Sequence, residues 1–295
     1  MIEDNWTRRE FLFDLTLLGG GLWVSASVAA AADRWPLFVV EGHGGRVYLM
    51  GETPPRPAAW HNARIEALVP GCATLWTETN DVFKKSVQDL IAQYGVDEAH
   101  PLASRLTTQD QAHLAKVADL THVPLASLAT YRPWLVGGVL EDAYYGVMKM
   151  SDAAEKVLVA KATAAHVNVS SEFAVKDDVF AWFGGLSPEQ DVQFLRYSLD
   201  MILAGEAENE RVFTAWSKGD AAPAAERVAG MKQRYPDLYP KLVVERNRGW
   251  IPRFNAMLAN KTPALVITGL YHLAGPDNLL AQLRAAGFSV SQQSQ

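Results

Sequence analysis

The chain has 295 residues, of which 49% are apolar, 20% charged and 10% aromatic. This is the balance of a folded globular protein, long enough to bury a real core, and not that of a disordered or collagen-like chain. A formal charge of −6 argues against a binder of nucleic-acid backbone, and the one cysteine, Cys72, excludes an intrachain disulfide and a thiolate-rich zinc site.

The first 32 residues read as an address. Arg8-Arg9 precede Phe11-Leu12 and an apolar stretch from Leu15 to Val28 that is interrupted by Gly19-Gly20-Gly21 and closes on Ala29 to Ala32. A charged start, a moderately apolar middle and a small-residue cleavage site make an export signal, and the arginine pair resembles the twin-arginine (Tat) type. The stretch is too rich in Gly, Ala and Ser for a good membrane span. The expectation is a bacterial protein exported to the periplasm or beyond by the twin-arginine machinery, with residues 33–295 as one mature domain and no membrane attachment after cleavage.

Leu37 to Val40 and Val47 to Met50 are β-rich runs joined by Gly42-His43-Gly44-Gly45, a hairpin signature. Gly51-Glu52-Thr53-Pro54 comes next, then a Pro-rich loop, an expected helix over about 58–68 stopped by Pro70-Gly71, and a strand over 73–78. The end of the chain repeats this plan. A strand over 264–268 leads to Gly269-Leu270-Tyr271-His272, a helix over 278–286, a capping Gly287 and a closing strand from Phe288. The expectation is an α/β (or α+β) fold in which these two βα units, within 33–100 and 241–295, lie side by side in one sheet. Their Gly-x-x-x loops then meet at one edge, where open α/β sheets bind ligands.

Residues 101–240 read as a helical insert. Thr108-Gln109-Asp110-Gln111 suggests a capping box, and Asp152 to Glu155 another, for helices reaching about Leu120 and His166. Ser187-Pro188-Glu189-Gln190 is the strongest start signal, with Val192, Leu195, Leu199 and Ile202 on one face behind it. Residues 239–259 are also helical by pattern, with a break or restart expected at Gly249 and Pro252.

Zinc-protease, serine-elbow, P-loop and dinucleotide signatures are absent from the sequence. What remains are polar residues at strand ends, namely Glu52, Glu78, His272 and Glu172, with Arg246, Asn247 and Arg248 on a late helix. Carboxylates and a histidine gathered at a sheet edge could bind a divalent metal through N and O atoms, but by themselves these residues fit a solvated rim better. Trp60, Trp76, Trp134, Trp182 and Trp250 are too scattered for a nucleic-acid stacking platform.

An ordered set of segments resembles the TraB/GumN family, related to Tiki-type metalloproteases and more distantly to the haem-binding ChaN and erythromycin esterase folds. The set is Val47 to Gly51, Thr74 to Glu78, Arg132-Pro133-Trp134, Ser170 to Phe173, Val244 to Asn247 with Trp250, and Val266 to Gly275 with Leu279, Leu280 and Leu283 behind it. The resemblance implies two Gly-x-x-His motifs, an acid after the second strand and a late Arg/Asn pair, holding a divalent metal that activates water against peptides or related amides. On that pattern His272, Glu78 and Glu172 are metal ligands, Glu78, Arg246 and Asn247 are catalytic, and the activity expected is that of a metal-dependent hydrolase. The first motif departs: Pro54 stands where the family has His, and proline does not ligate. Glu52 is then the substitute metal ligand, with His61 or His43 as alternatives. The other reading is a non-catalytic relative that keeps the fold and binds a ligand or partner.

Overall fold

A computed structural model describes residues 34–151 and 153–293. The export signal over 1–32 and the cap expected at Asp152 lie outside them. The fold is α/β, a six-stranded sheet carrying a mostly helical superstructure.

The chain enters through β1 (Leu37–Gly42) and β2 (Gly45–Glu52), which pair antiparallel with Gly42 opposite Gly45. The two loop residues, His43 (φ 53°) and Gly44 (φ 81°), both take positive φ, the turn whose twist matches that of the flanking strands. The helix expected over 58–68 shrinks to α1 (Ala63–Glu66) and a tight turn at Val69–Gly71. Its start is fixed late because Asn62 caps it: Asn62 Oδ1 accepts from the Ile65 amide, while the Asn62 amide donates to Glu66 Oε1. Then comes β3 (Thr74–Thr77). Cys72, just before it, is a buried free thiol that desolvation pushes up to about 11, a packing residue.

Short helices α2 (Val87–Leu90) and α3 (Leu102–Arg105) lead to α4 (Thr108–Thr121), α5 (Pro133–Met148) and α6 (Ala154–Ala164). The capping box of α4 uses Thr107 and Asp110, one residue before the pair expected from sequence. Strand β4 (Asn168–Ser171) precedes α7 (Lys176–Gly184), and α8 (Pro188–Trp216) begins on the capping box read at Ser187 and Gln190. Leu195, Leu199 and Ile202 are buried as the spacing required, and Val192 is half-buried. The α8 run is long, kinked at Gly205, and packs on α5. The Arg132-Pro133-Trp134 segment is part of that joint. Arg132 Nε and the Trp134 amide both donate to the buried Asp191 of α8, at 2.9 and 2.6 Å.

After α9 (Ala222–Arg234) a wide helical turn at Pro240–Val244 runs into α10 (Glu245–Leu258). The break expected at Gly249 and Pro252 does not occur. Arg248 and Pro252 are both exposed, so the carbonyl that the proline ring leaves without an amide partner faces water, while buried Trp250, Phe254 and Leu258 hold the other face. The chain closes with β5 (Ala264–Gly269), α11 (Leu279–Ala285) and β6 (Ser289–Gln292).

Strand order is β4-β3-β5-β2-β1-β6. The last βα unit therefore inserts its strand between β2 and β3, parallel to both, with Gly51 opposite Thr268 and Glu52 opposite Gly269. Central position explains why β5 is buried along all but its last residue. Four parallel strands (β4, β3, β5, β2) thus end at one edge of the sheet, and Glu172, Glu78, the Gly269 loop and Glu52 sit there by register alone. No helix among the described residues is long and apolar enough to cross a membrane.

Candidate functional site

Residues just beyond the end of a parallel strand lie at the crevice outside the carboxyl edge of the sheet. Glu78 comes directly after β3 and is 2% exposed. Its Oε1 accepts the Gly269 amide at 2.6 Å, so the acid of the first βα unit is clamped to the loop of the last. Glu172 comes directly after β4 at the same edge, β4 being a strand inside the 101–240 region that the sequence reads as helical. His272 sits in the short turn after β5 and is buried.

α10 supplies the cation. Arg246, Asn247 and Trp250 are spaced i, i+1, i+4 and share its buried face. Arg246 Nη2 donates to Glu78 Oε2 at 2.6 Å and to Glu172 Oε2 at 2.5 Å, and Nε donates to Glu172 Oε2 at 3.1 Å. Nη1 approaches His272 Nε2 at 3.5 Å. Burial works against the guanidinium charge, but Glu78 and Glu172 outweigh it and raise the Arg246 pKa.

Asn247 fixes the imidazole. Its Nδ2 donates to the Asp277 carbonyl at 3.0 Å, which leaves Oδ1 to accept from His272 Nδ1–H at 2.8 Å. That assigns the neutral tautomer with a lone pair on Nε2. Burial first, and the Arg246 charge second, hold the His272 pKa well below its ordinary value, with Glu172 opposing. The indole of Trp250 lies 4.6 Å from the imidazole, ring centre to ring centre. The Arg246 guanidinium also sits over Trp250 and Phe173, at 5.1 and 5.9 Å.

The structure thus brings together Glu78, Glu172, Arg246, Asn247 and His272. It does not bring in Glu52, which ends β2 at the same edge but accepts the Glu155 amide at 3.1 Å, at the start of α6. His43 meets Asn255 and His61 meets Glu66, both with exposed imidazoles, and neither reaches the cluster. Trp250 and Phe173, which the sequence places in the segments that carry the resemblance without a site role, flank the cluster through their ring contacts with His272 and Arg246. The helical spacing of Arg246, Asn247 and Trp250 gives the physical reason that Trp250 stands beside that pair.

Among the described residues no group of three His, Cys, Asp or Glu could hold an ion of the kind that needs three protein ligands. His272 Nε2 and Glu78 Oε1 stand 3.8 Å apart, and the Arg246 guanidinium supplies a positive charge beside both Glu78 and Glu172.

A family model described as the TraB/PrgY/gumN family matches residues 36–292. No curated protein and no solved structure matches the chain.

Proposed function

We propose that this chain, which belongs to the TraB/PrgY/gumN family, is an exported, non-catalytic relative of the Tiki-type metalloproteases that keeps the fold and binds a ligand. One observation carries this reading. Arg246 uses Nε and Nη2 on Glu78 and Glu172 and points Nη1 at His272, so the groups that would serve a metal are committed to one another. Pro54 removes the family's first histidine, and Glu52, its nearest substitute, is engaged at the start of α6. A buried ion-pair network of this kind holds strand ends and a helix in one arrangement, and breaking it leaves a charge without compensation.

The second reading, a metal-dependent hydrolase acting on peptides or related amides, is favoured by the 3.8 Å separation of His272 Nε2 and Glu78 Oε1. Two donors at that spacing would share one cation if Arg246 moved aside.

Metal analysis by mass spectrometry of protein folded in the cytoplasm separates the two, comparing wild type with His272→Ala and assaying both on a quenched-fluorescent peptide library. The expected result is the same trace metal content in both proteins and no hydrolysis. One equivalent of metal in the wild type, lost in His272→Ala together with peptide cleavage, would overturn the proposal in favour of the hydrolase.

A further inference from the structure

Helix α9 contributes no residue to the Glu78–Arg246–His272 cluster, yet it holds the loop that carries His272 at three points. Its pattern buries Ala224, Val228 and Met231 on one face. Arg227 Nη1 donates to the hydroxyl of Tyr271, the residue directly before His272, at 2.6 Å. That guanidinium is itself fixed. Asn209 Oδ1 of α8 accepts from the same nitrogen at 3.1 Å, and Glu208 pairs with Nη2 at 3.5 Å. Val228 packs on Gly275, so closely that a Cβ at that glycine would lie 2.6 Å from Val228 Cγ1. Lys232 Nζ donates to Asp277 Oδ2 at 2.9 Å, where the Tyr239 hydroxyl also donates at 3.0 Å.

Asp277 is where this clasp meets the imidazole. Its carbonyl accepts from Asn247 Nδ2 at 3.0 Å, and that bond turns Asn247 Oδ1 toward His272 Nδ1, 2.8 Å away. An amide that loses the Asp277 carbonyl is free to rotate and to offer His272 a donor in place of an acceptor. The imidazole proton then has no reason to stay on Nδ1. With it goes the lone pair at Nε2, the ring nitrogen that faces Arg246 Nη1 at 3.5 Å and Glu78 Oε1 at 3.8 Å.

We propose that Arg227 and Lys232 are positioning residues of the candidate site, holding the 271–277 loop so that Asn247 keeps the His272 proton on Nδ1 and an acceptor at Nε2. Stability alone does not account for Lys232. Its side chain is 51% exposed and that of Asp277 34%, and so open an ion pair adds at most about 1 kcal/mol to the fold. What the pair does fix is where Asp277 sits. The proposal rests on the Glu78–Arg246–His272 cluster being the functional site, whether it binds or hydrolyses. Its readout is the place of one proton, not metal content or turnover, so the two readings fail separately.

Heteronuclear NMR of the imidazole nitrogens in the full chain, at a pH where the histidines are neutral, tests it. The His272 signals are identified by their loss in His272→Gln. Wild type is expected to show one tautomer, protonated at Nδ1 and bare at Nε2. Combining Lys232→Met with Tyr271→Phe removes both polar holds of α9 on the loop, and the Nε2 signal is expected to shift to a value averaged between bare and protonated. Lys232→Met alone, at an exposed position, should shift it in the same direction and decides the matter if the double variant fails to fold. Lys232→Arg, which keeps the ion pair, should restore the wild-type signal. An unchanged tautomer in the Lys232→Met variants, or a wild type protonated at Nε2, would overturn the proposal. So would an equal shift in Arg196→Met, which breaks the Arg196–Asp110 pair between α8 and α4 and leaves the loop untouched.

Discussion

Arg246 Nη2 stands 2.6 Å from Glu78 Oε2, with the two side chains 5% and 2% exposed. The same nitrogen reaches Glu172, so one guanidinium from α10 joins the ends of β3 and β4. Glu78 in turn holds the loop after β5 through the Gly269 amide. Three strand ends and a helix meet on one pair of charges.

Removing the cation should therefore be expensive. Arg246→Met leaves two carboxylates facing each other with no counter-charge and is expected to destabilise the fold by about 3–5 kcal/mol. Adding Glu78→Gln to that variant should recover part of the loss, because the remaining repulsion disappears. Urea unfolding of the two single variants, the double variant and the wild type measures the coupling. An Arg246→Met variant as stable as wild type would show that the network contributes nothing to the fold.

His272 and Glu141 set opposite slopes of stability with pH. Burial keeps His272 neutral with a pKa well below 6.5. Below that pH the unfolded chain binds a proton that the folded one does not, and stability falls as pH falls, by up to about 1.4 kcal/mol per pH unit. For Glu141, burial raises the carboxyl from 4.5 to about 7. Between those values the folded state keeps a proton that the unfolded state releases, so stability falls as pH rises. The two oppose each other between pH 4.5 and 6.5. In Glu141→Gln, stability should rise with pH across this window more steeply than in wild type, and in His272→Gln it should fall. Urea midpoints at several pH values read both slopes, and parallel profiles in all three proteins would remove these residues as the cause.

Gly51 is required by its neighbours. A Cβ there would lie 2.8 Å from the Trp216 ring and 2.9 Å from Leu270 Cα. The indoles of Trp35 and Trp216 both donate to the Gly51 carbonyl, at 3.1 and 3.2 Å, so neither the strand nor α8 can retreat without losing a bond. Gly51→Ala is expected to cost about 1–3 kcal/mol, measured as a fall in the thermal midpoint and a change in tryptophan emission.

The proposed export route rests on Arg8 and Arg9. Replacing both by lysine should hold the precursor in the cytoplasm, as tracked by cell fractionation and immunoblotting. Normal export of the double variant would remove the twin-arginine reading.

Much of the frame was legible in the order of residues. Two β-rich runs joined by Gly42-His43-Gly44-Gly45 gave the first hairpin, and the apolar run Ala264 to Ile267 marked a strand. The capping box at Ser187 announced α8. Similarity between the two terminal βα units led to their pairing in one sheet, and Gly51 does lie opposite Thr268. Parallel register then sends Glu78, Glu172 and the His272 loop to a common edge. The short helix at Ala63 and the continuous α10 departed from expectation because an Asn62–Glu66 cap and a solvent-facing proline outweigh what a running pattern of residue types suggests.

Five of the six strands, and so Glu52, Glu78 and the His272 loop at the carboxyl edge, were written in the linear chain, because strand and helix periods are short-range properties of neighbouring side chains. Strand β4, which brings in Glu172, lay within residues read as helical. The partners of those polar groups came from packing in three dimensions. Glu52 and Glu78 both stand at strand ends on that edge, yet one meets the Glu155 amide and the other meets Arg246. The choice belongs to whichever helix packs over each strand end, and a buried charge takes the nearest compensating partner that packing delivers.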